Sequence, residues 1–285
     1  MLVALDALAI ALYVEIDDFL EPRRGPGRPP RLSDAELITL AVCQVCLRLP
    51  NDRQFLALAR YRLGHLFPTL IDPSGYNRRL RALAPQIARA INYLAFTSPS
   101  FCDNLRLLDS TPVPCGQSRD TVRRSEFAGY AGYGYCRSHS RFFWGFRLYL
   151  CCAPDGMPIG FELAPASTPE REAAKEMLER VPLAGHVVIA DKGFAGADFE
   201  AWMAERGAHF LRPDRKDEPY RYGSLGQVRQ WIESVFWTCK RQLGLERDGA
   251  RTLPGLAARL LALAAGIWHN HNTGQPARHL AAYGR

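Results

Sequence analysis

Apolar positions recur at helical spacing from Leu2 to Leu20, which predicts a first helix. The run stops at "EPRRGPGRPPRLSD", whose prolines and glycines suit neither a helix nor a strand. Ser33 with Glu36 three residues later reads as an N-cap closing a capping box, and the helix after it runs to about Arg48. Further helical patterns cover Asp52 to Leu63 and Tyr76 to Ala95. Residues 1–97 are therefore expected to form a small all-α domain, with a basic Pro/Gly linker at 22–31.

The pattern changes near residue 100. "LRLLDS" at Leu105 to Ser110 is a short apolar run ending in an acid, and "FFWGFRLYLCC" at Phe142 to Cys152 is rich in β formers. The turn "PDG" at Pro154 to Gly156 joins the second run to "MPIGFELA", predicting a hairpin. Pro169 to Val181 reads as a helix, "HVVIAD" at His186 to Asp191 as a strand buried on both faces, Ala197 to Arg206 as a helix and "AHFLRP" as a last strand. A polar loop leads to a long helix from about Gly226 to Leu245, then an apolar helix from Leu253 to His269. This order predicts an α/β region over 98–285: a mixed sheet flanked by helices, with the element order of an RNase H-like fold. No internal repeat is visible.

Composition narrows the partner. Lys and Arg total 36 against 29 acidic residues, a formal net charge of +7, which favours an anionic partner as much as a merely basic protein. Arg predominates, and its planar fork suits phosphate. The apolar opening to Val14 is interrupted by Asp6 and lacks a basic lead, so it does not read as a secretory signal. The stretch Leu253 to Trp268 contains Arg259 and is too short to span a bilayer. No membrane association and a cytoplasmic, nucleoid-associated location are expected. The 8 cysteines show no ligand spacing and read as reduced thiols.

Three acids carry the candidate chemistry. Asp109 ends the first strand beside Ser110, Asp191 ends the buried strand before Lys192 and Gly193, and Glu233 lies in the long helix between Arg229 and Lys240. Acids at strand ends in an α/β sheet face the crevice where ligands bind. If the two strands were neighbours and the helix crossed them, the three carboxylates would converge. Hard oxygen ligands suit Mg²⁺ or Mn²⁺, and two such ions about 4 Å apart promote in-line displacement at phosphorus. Each acid also has a structural alternative: Asp109 capping a turn, Asp191 N-capping the segment after its strand, Glu233 pairing with Arg229 at helical spacing. Arg229, Glu233 and Lys240 fall on one helical stripe.

The blocks "LLDSTPVP" at 107–114, "GFRLYLCCAPDGMPIGFEL" at 145–163, "VVIADKGF" at 187–194 and "RQWIESVFWTCK" at 229–240 resemble, in order, bacterial insertion-sequence transposases of the DDE type. The resemblance covers about residues 100–270 and, more loosely, "GRPPRLSDAELITLAV" at 27–42. It implies an RNase H-like catalytic domain with Asp109, Asp191 and Glu233 as catalytic and metal-holding residues. It also implies a Tyr-Arg-Glu-Lys signature, matched here by Arg229, Glu233 and Lys240, while the Tyr position falls on Gly226. Arg147 fills a basic position common in the family's second strand. Only about Pro213 to Leu225 separates the last strand from the Glu helix, so the large insertion domain of some relatives is not expected.

Other basic residues are candidates for DNA contact. Arg28, with Arg23, Arg24 and Arg31, lies in the linker, which reads as a stiff Pro-rich spacer making incidental phosphate contacts. Arg78 and Arg79, with Arg81, lie on a helix that either faces DNA or is simply solvated. Lys192 neighbours the second acid, and Arg137, His139 and Arg141 sit in an aromatic and basic stretch. His269 and His271 are too isolated to suggest a metal site. The expected activity is a transposase that cuts and joins the ends of its own insertion sequence, using double-stranded DNA (terminal inverted repeats and target) and acting as a homodimer on DNA. The competing readings are an RNase H-like nuclease without strand transfer and a non-catalytic, transposase-derived DNA-binding protein.

Overall fold

A computed structural model describes residues 2–21, 30–116, 118–136, 140–215, 218–219, 225–246 and 252–284. In chain order it contains α1 (Leu2–Phe19), α2 (Asp34–Cys46), α3 (Asp52–Arg62), α4 (Pro73–Ala82), α5 (Ala84–Phe96), β1 (Leu105–Gly116), α6 (Arg119–Arg124), β2 (Gly132–Cys136) and β3 (Arg141–Cys152). There follow β4 (Pro158–Pro165), α7 (Glu170–Leu178), β5 (Val187–Ala190), α8 (Ala197–Glu205), β6 (His209–Leu211), α9 (Gly226–Arg241) and α10 (Leu253–Asn272). Linker residues Arg23, Arg24 and Arg28, and Arg137 and His139, lie outside the described residues. No helix among those described is long and apolar enough to cross a membrane.

The chain divides into two compact units, Met1–Thr97 with Cys239–Arg285, and Ser98–Thr238. The segment from Cys239 onward does not stay with the α/β part as expected but joins the N-terminal helices. The reason is the apolar girth of α10, in which Leu260, Leu261, Leu263, Ala264, Ala265 and Ile267 are all buried. A helix apolar on every side must be enclosed by others. Its buried Arg259 donates from Nε to the Gly244 carbonyl at 2.9 Å and from Nη1 to the Gly255 carbonyl. His269 is structural, its Nδ1 lying 2.9 Å from the Tyr283 hydroxyl.

Within the helical unit the capping box forms as expected: the Glu36 amide donates to Ser33 Oγ at 3.0 Å, and the Ser33 amide to Glu36 Oε2 at 2.5 Å. The single helix expected over 76–95 is instead two, α4 and α5, meeting at Leu83. Pro85 lies in the first turn of α5, where its missing N–H leaves no hydrogen bond unmade, so the chain restarts a helix there.

The second unit is built on a six-stranded mixed sheet ordered β2-β3-β1-β5-β6, with β4 also on β3. β1 runs antiparallel to β3 and parallel to β5, and β5 parallel to β6. β2 and β4 follow one another along the other edge of β3, pairing with Arg141–Gly145 and Phe146–Cys152 respectively. Residues opposite one another share a face. Leu108 thus lies with Cys151, Gly160 and Ala190 on one face. Beside Gly160 on that face stand Met177 of α7 and Val181. Leu107, Asp109 and Ile189 take the opposite face, toward Arg229 and Ile232 of α9. The result is the expected α/β class, a mixed sheet flanked by helices and preceded by an all-α region. β1 is twice its expected length, running through Pro112 and Pro114 to Gly116. The prolines are tolerated because β5 pairs with β1 only as far as Leu108, so beyond it one edge of β1 has no ladder to break.

Candidate active site

The parallel register of β1 and β5 places the two aspartates. Leu108 pairs with Ala190, so Asp109 and Asp191 are the next residues out, side by side where the β5 ladder ends. They line a narrow crevice with Leu107, Ile189, Arg229 and Ile232. On α9 the apolar stripe Ile232, Val235 and Phe236 is buried. Glu233 flanks that stripe with a side chain 60 % exposed.

Arg229 joins the acids. Its Nη2 is 3.3 Å from Asp191 Oδ1 and 4.0 Å from Glu233 Oε1, the latter an i,i+4 pair. The local structural roles are present as well: Asp191 N-caps the turn Lys192–Phe194, accepting from the Lys192 amide at 2.6 Å. Asp109 accepts from the Ser110 amide at 2.7 Å. Burial pushes the Asp109 carboxyl up to about 7, with Asp191 and Glu170 adding to the rise and the Ser110 amide and Arg229 opposing it. Burial thus outweighs the opposing pull of the Ser110 amide and Arg229 on this carboxyl. Among the described residues no three His, Cys, Asp or Glu side chains are set closely enough to hold a metal ion by themselves. The cation between Asp191 and Glu233 is the guanidinium.

Glu170 was not anticipated from the sequence. It opens α7, accepts from Ser110 Oγ at 2.8 Å and lies 3.9 Å from Arg147 Nη1, which also donates to Ser110 Oγ at 3.3 Å. Beside it in register with Ser110, the buried Tyr149 hydroxyl has no hydrogen-bond partner among the described residues, and burial first, then Glu170, pushes it up to about 12. The available signal was an acid following Pro169 at a helix start, but only the fold carries it back to β1.

The remaining candidates scatter. Lys192 is exposed on the turn after Asp191. Arg147 is engaged with Ser110, Glu170 and the Tyr135 carbonyl. Lys240, in the helical unit, meets Glu246 at 2.6 Å. On α4, Arg78 and Arg81 are exposed, whereas Arg79 binds the Leu32 carbonyl and Asp34, each at 2.6 Å. Arg31 and Arg141 are exposed. All 8 cysteines are free thiols.

The comparisons with known proteins follow the same residues. No curated protein matches the chain. Among solved structures it is similar to a piggyBac transposase in a synaptic complex with hairpin DNA, seen by cryo-EM, at 11 % identity and a TM-score of 0.49, covering 99 % of this chain and 76 % of that one. The family profile described as a transposase DDE domain matches residues 100–268, from just before β1 to near the end of α10. The match takes in Asp109, Asp191 and Glu233 and more than half of the sequence, so the chain belongs to the transposase DDE-domain family.

Proposed function

We propose that this protein cuts DNA at the ends of its own bacterial insertion sequence and joins the freed 3′ ends to target DNA, with Asp109, Asp191 and Glu233 as its catalytic carboxylates. The observation that carries this reading is the pair of aspartates at adjacent strand ends, with Arg229 linking Asp191 to the helix bearing Glu233. Carboxylate oxygens are hard donors of the kind divalent ions take, and Asp109 and Asp191 stand side by side at the strand ends, where burial raises the Asp109 carboxyl to about 7; a bound ion would have to draw Glu233 in to join them. One or two Mg²⁺ or Mn²⁺ ions, held by Asp109, Asp191 and Glu233, would supply an activated hydroxyl and a stabilised leaving oxygen. Arg229 orients Asp191 and Glu233, and Lys192 neutralises a phosphate entering the crevice. In cleavage a water oxygen bonds to phosphorus as the bond to the 3′ oxygen breaks. In joining, the freed 3′-hydroxyl replaces water and releases a new 3′-hydroxyl in the target.

The helical unit, with Arg78 exposed and Arg28 and Arg31 on the linker, is read as the part that holds the element ends. Two ends must meet, so the active form on double-stranded DNA is a homodimer, working at the nucleoid in the cytoplasm. The test is divalent-dependent cleavage of an element-end duplex. Asp191→Asn should abolish cleavage while duplex binding stays within about twofold, since the basic surface is untouched. In thermal unfolding, Mg²⁺ should raise the midpoint of the wild-type protein but not of Asp191→Asn. Cleavage by Asp191→Asn at the wild-type rate would refute the assignment. A nuclease that never joins pre-cut ends to a second duplex would be the RNase H-like nuclease without strand transfer.

A further inference from the structure

β2 has the sequence Gly-Tyr-Gly-Tyr-Cys, and its two faces do different things. On one face a Cβ at Gly134 would meet the Ala166 carbonyl oxygen at 2.7 Å, and one at Gly132 would meet Ser167 Oγ. The chain after β4 therefore lies directly on the strand, and only glycine permits that approach. On the other face the register pairs Tyr135 with Phe142 and Tyr133 with Trp144, forming one aromatic row across two strands. The Tyr135 and Phe142 rings are 5.0 Å apart, centre to centre. Trp144 is buried beside Thr121 of α6, but Tyr133 is 60 % exposed, Tyr135 43 % and Phe142 78 %. Arg123 and Arg124 are exposed on α6, the helix whose Thr121 lies beside Trp144, and Arg141 is exposed on the opposite face of β3, one residue before Phe142.

A contiguous exposed aromatic face is not the default for a soluble protein and marks a binding surface. Rings standing clear on a sheet beside a helix that carries exposed arginines combine the two features that hold unpaired nucleic acid: π-faces for bases and cations for phosphates. Bases inside a duplex have both faces occupied and offer nothing to such rings. We propose that Tyr133, Tyr135 and Phe142 form a stacking platform for unpaired bases of a DNA strand, separate from the carboxylate crevice. This rests on the DNA reading above and adds to it that the protein holds a strand opened from its duplex.

The test measures fluorescence anisotropy of a labelled oligo-dT strand and of a blunt duplex of equal length on the full-length protein. The triple variant Tyr133→Leu, Tyr135→Leu, Phe142→Leu keeps apolar bulk and removes the rings. It should weaken oligo-dT binding at least about tenfold while duplex affinity changes less than about twofold. The double variant Tyr133→Phe, Tyr135→Phe should bind oligo-dT as the wild type does. Circular dichroism checks the fold, and single Leu variants replace the triple one if it is lost. Wild-type oligo-dT affinity in the Leu variants, or a wild-type protein that binds duplex but not oligo-dT, overturns the proposal. A changed oligomeric state with unchanged oligo-dT affinity also overturns it and makes the face a protein interface. Failure to bind either DNA would instead refute the DNA reading.

Discussion

At the scale of single residues, the crevice behaves as a small set of coupled charges. Asp109 sits near 7 when folded, against an ordinary value of 3.8. Between those values the folded protein binds more protons than the unfolded chain, so stability falls as pH rises through that window and levels off above it. The loss should be on the order of 2 kcal/mol after solvent screening at a partly open site, and should vanish in Asp109→Asn. Thermal unfolding across pH without divalent ions measures it, and a flat profile in the wild type would exclude it. Two neighbours act in opposite directions on the same carboxyl. Removing the cation in Arg229→Ala should move the upper end of the window to higher pH, and removing the acid in Glu170→Gln should move it lower. Asp109 and Asp191 stand out in the sequence because they end apolar runs, and Glu233 because it shares a helical stripe with Arg229 and Lys240. Glu170 does not, because its partners Ser110 and Arg147 are 60 and 23 residues before it along the chain.

At the scale of elements, the signals that are local in sequence translate directly into structure. The capping box at the start of α2 is one such signal, and Ser33→Ala should lower stability by about 1 kcal/mol, seen as a lower thermal midpoint. An unchanged midpoint would mean that the cap is redundant with tertiary packing. The close approach at β2 is the opposite case. A methyl group at Gly134 would meet a backbone oxygen, which cannot swing aside as a side chain can. Gly134→Ala should therefore cost about 1–3 kcal/mol, and a neutral result in the same unfolding experiment would place the chain after β4 farther from the strand. β2 and α6 were not legible in advance, because five residues containing two glycines carry no strand pattern and six residues are too few for a helical one.

At the scale of the whole molecule, the first and last parts of the chain fold as one body. α10 buries its apolar surface among the helices of residues 1–97. A fragment of residues 1–97 alone leaves that surface open and should be poorly helical or aggregated, whereas adding residues 239–285 should restore a cooperative thermal transition monitored by circular dichroism. Cooperative unfolding of the short fragment by itself would contradict this. A cut at residue 97 alone divides the helical unit, although that is where the sequence pattern changes.

The sequence by itself determined most element types, the hairpin of β3 and β4, the aspartates at strand ends and the family blocks, because periodicity, turn residues and short motifs act over a few residues. Tertiary structure alone decided four things: the neighbouring of β1 and β5 that sets Asp109 beside Asp191, the bridge from Arg229 to Asp191, the return of Glu170 to β1, and the placing of α10 with the N-terminal helices. Each depends on which surfaces bury one another, and burial between distant segments leaves no periodic trace in either of them.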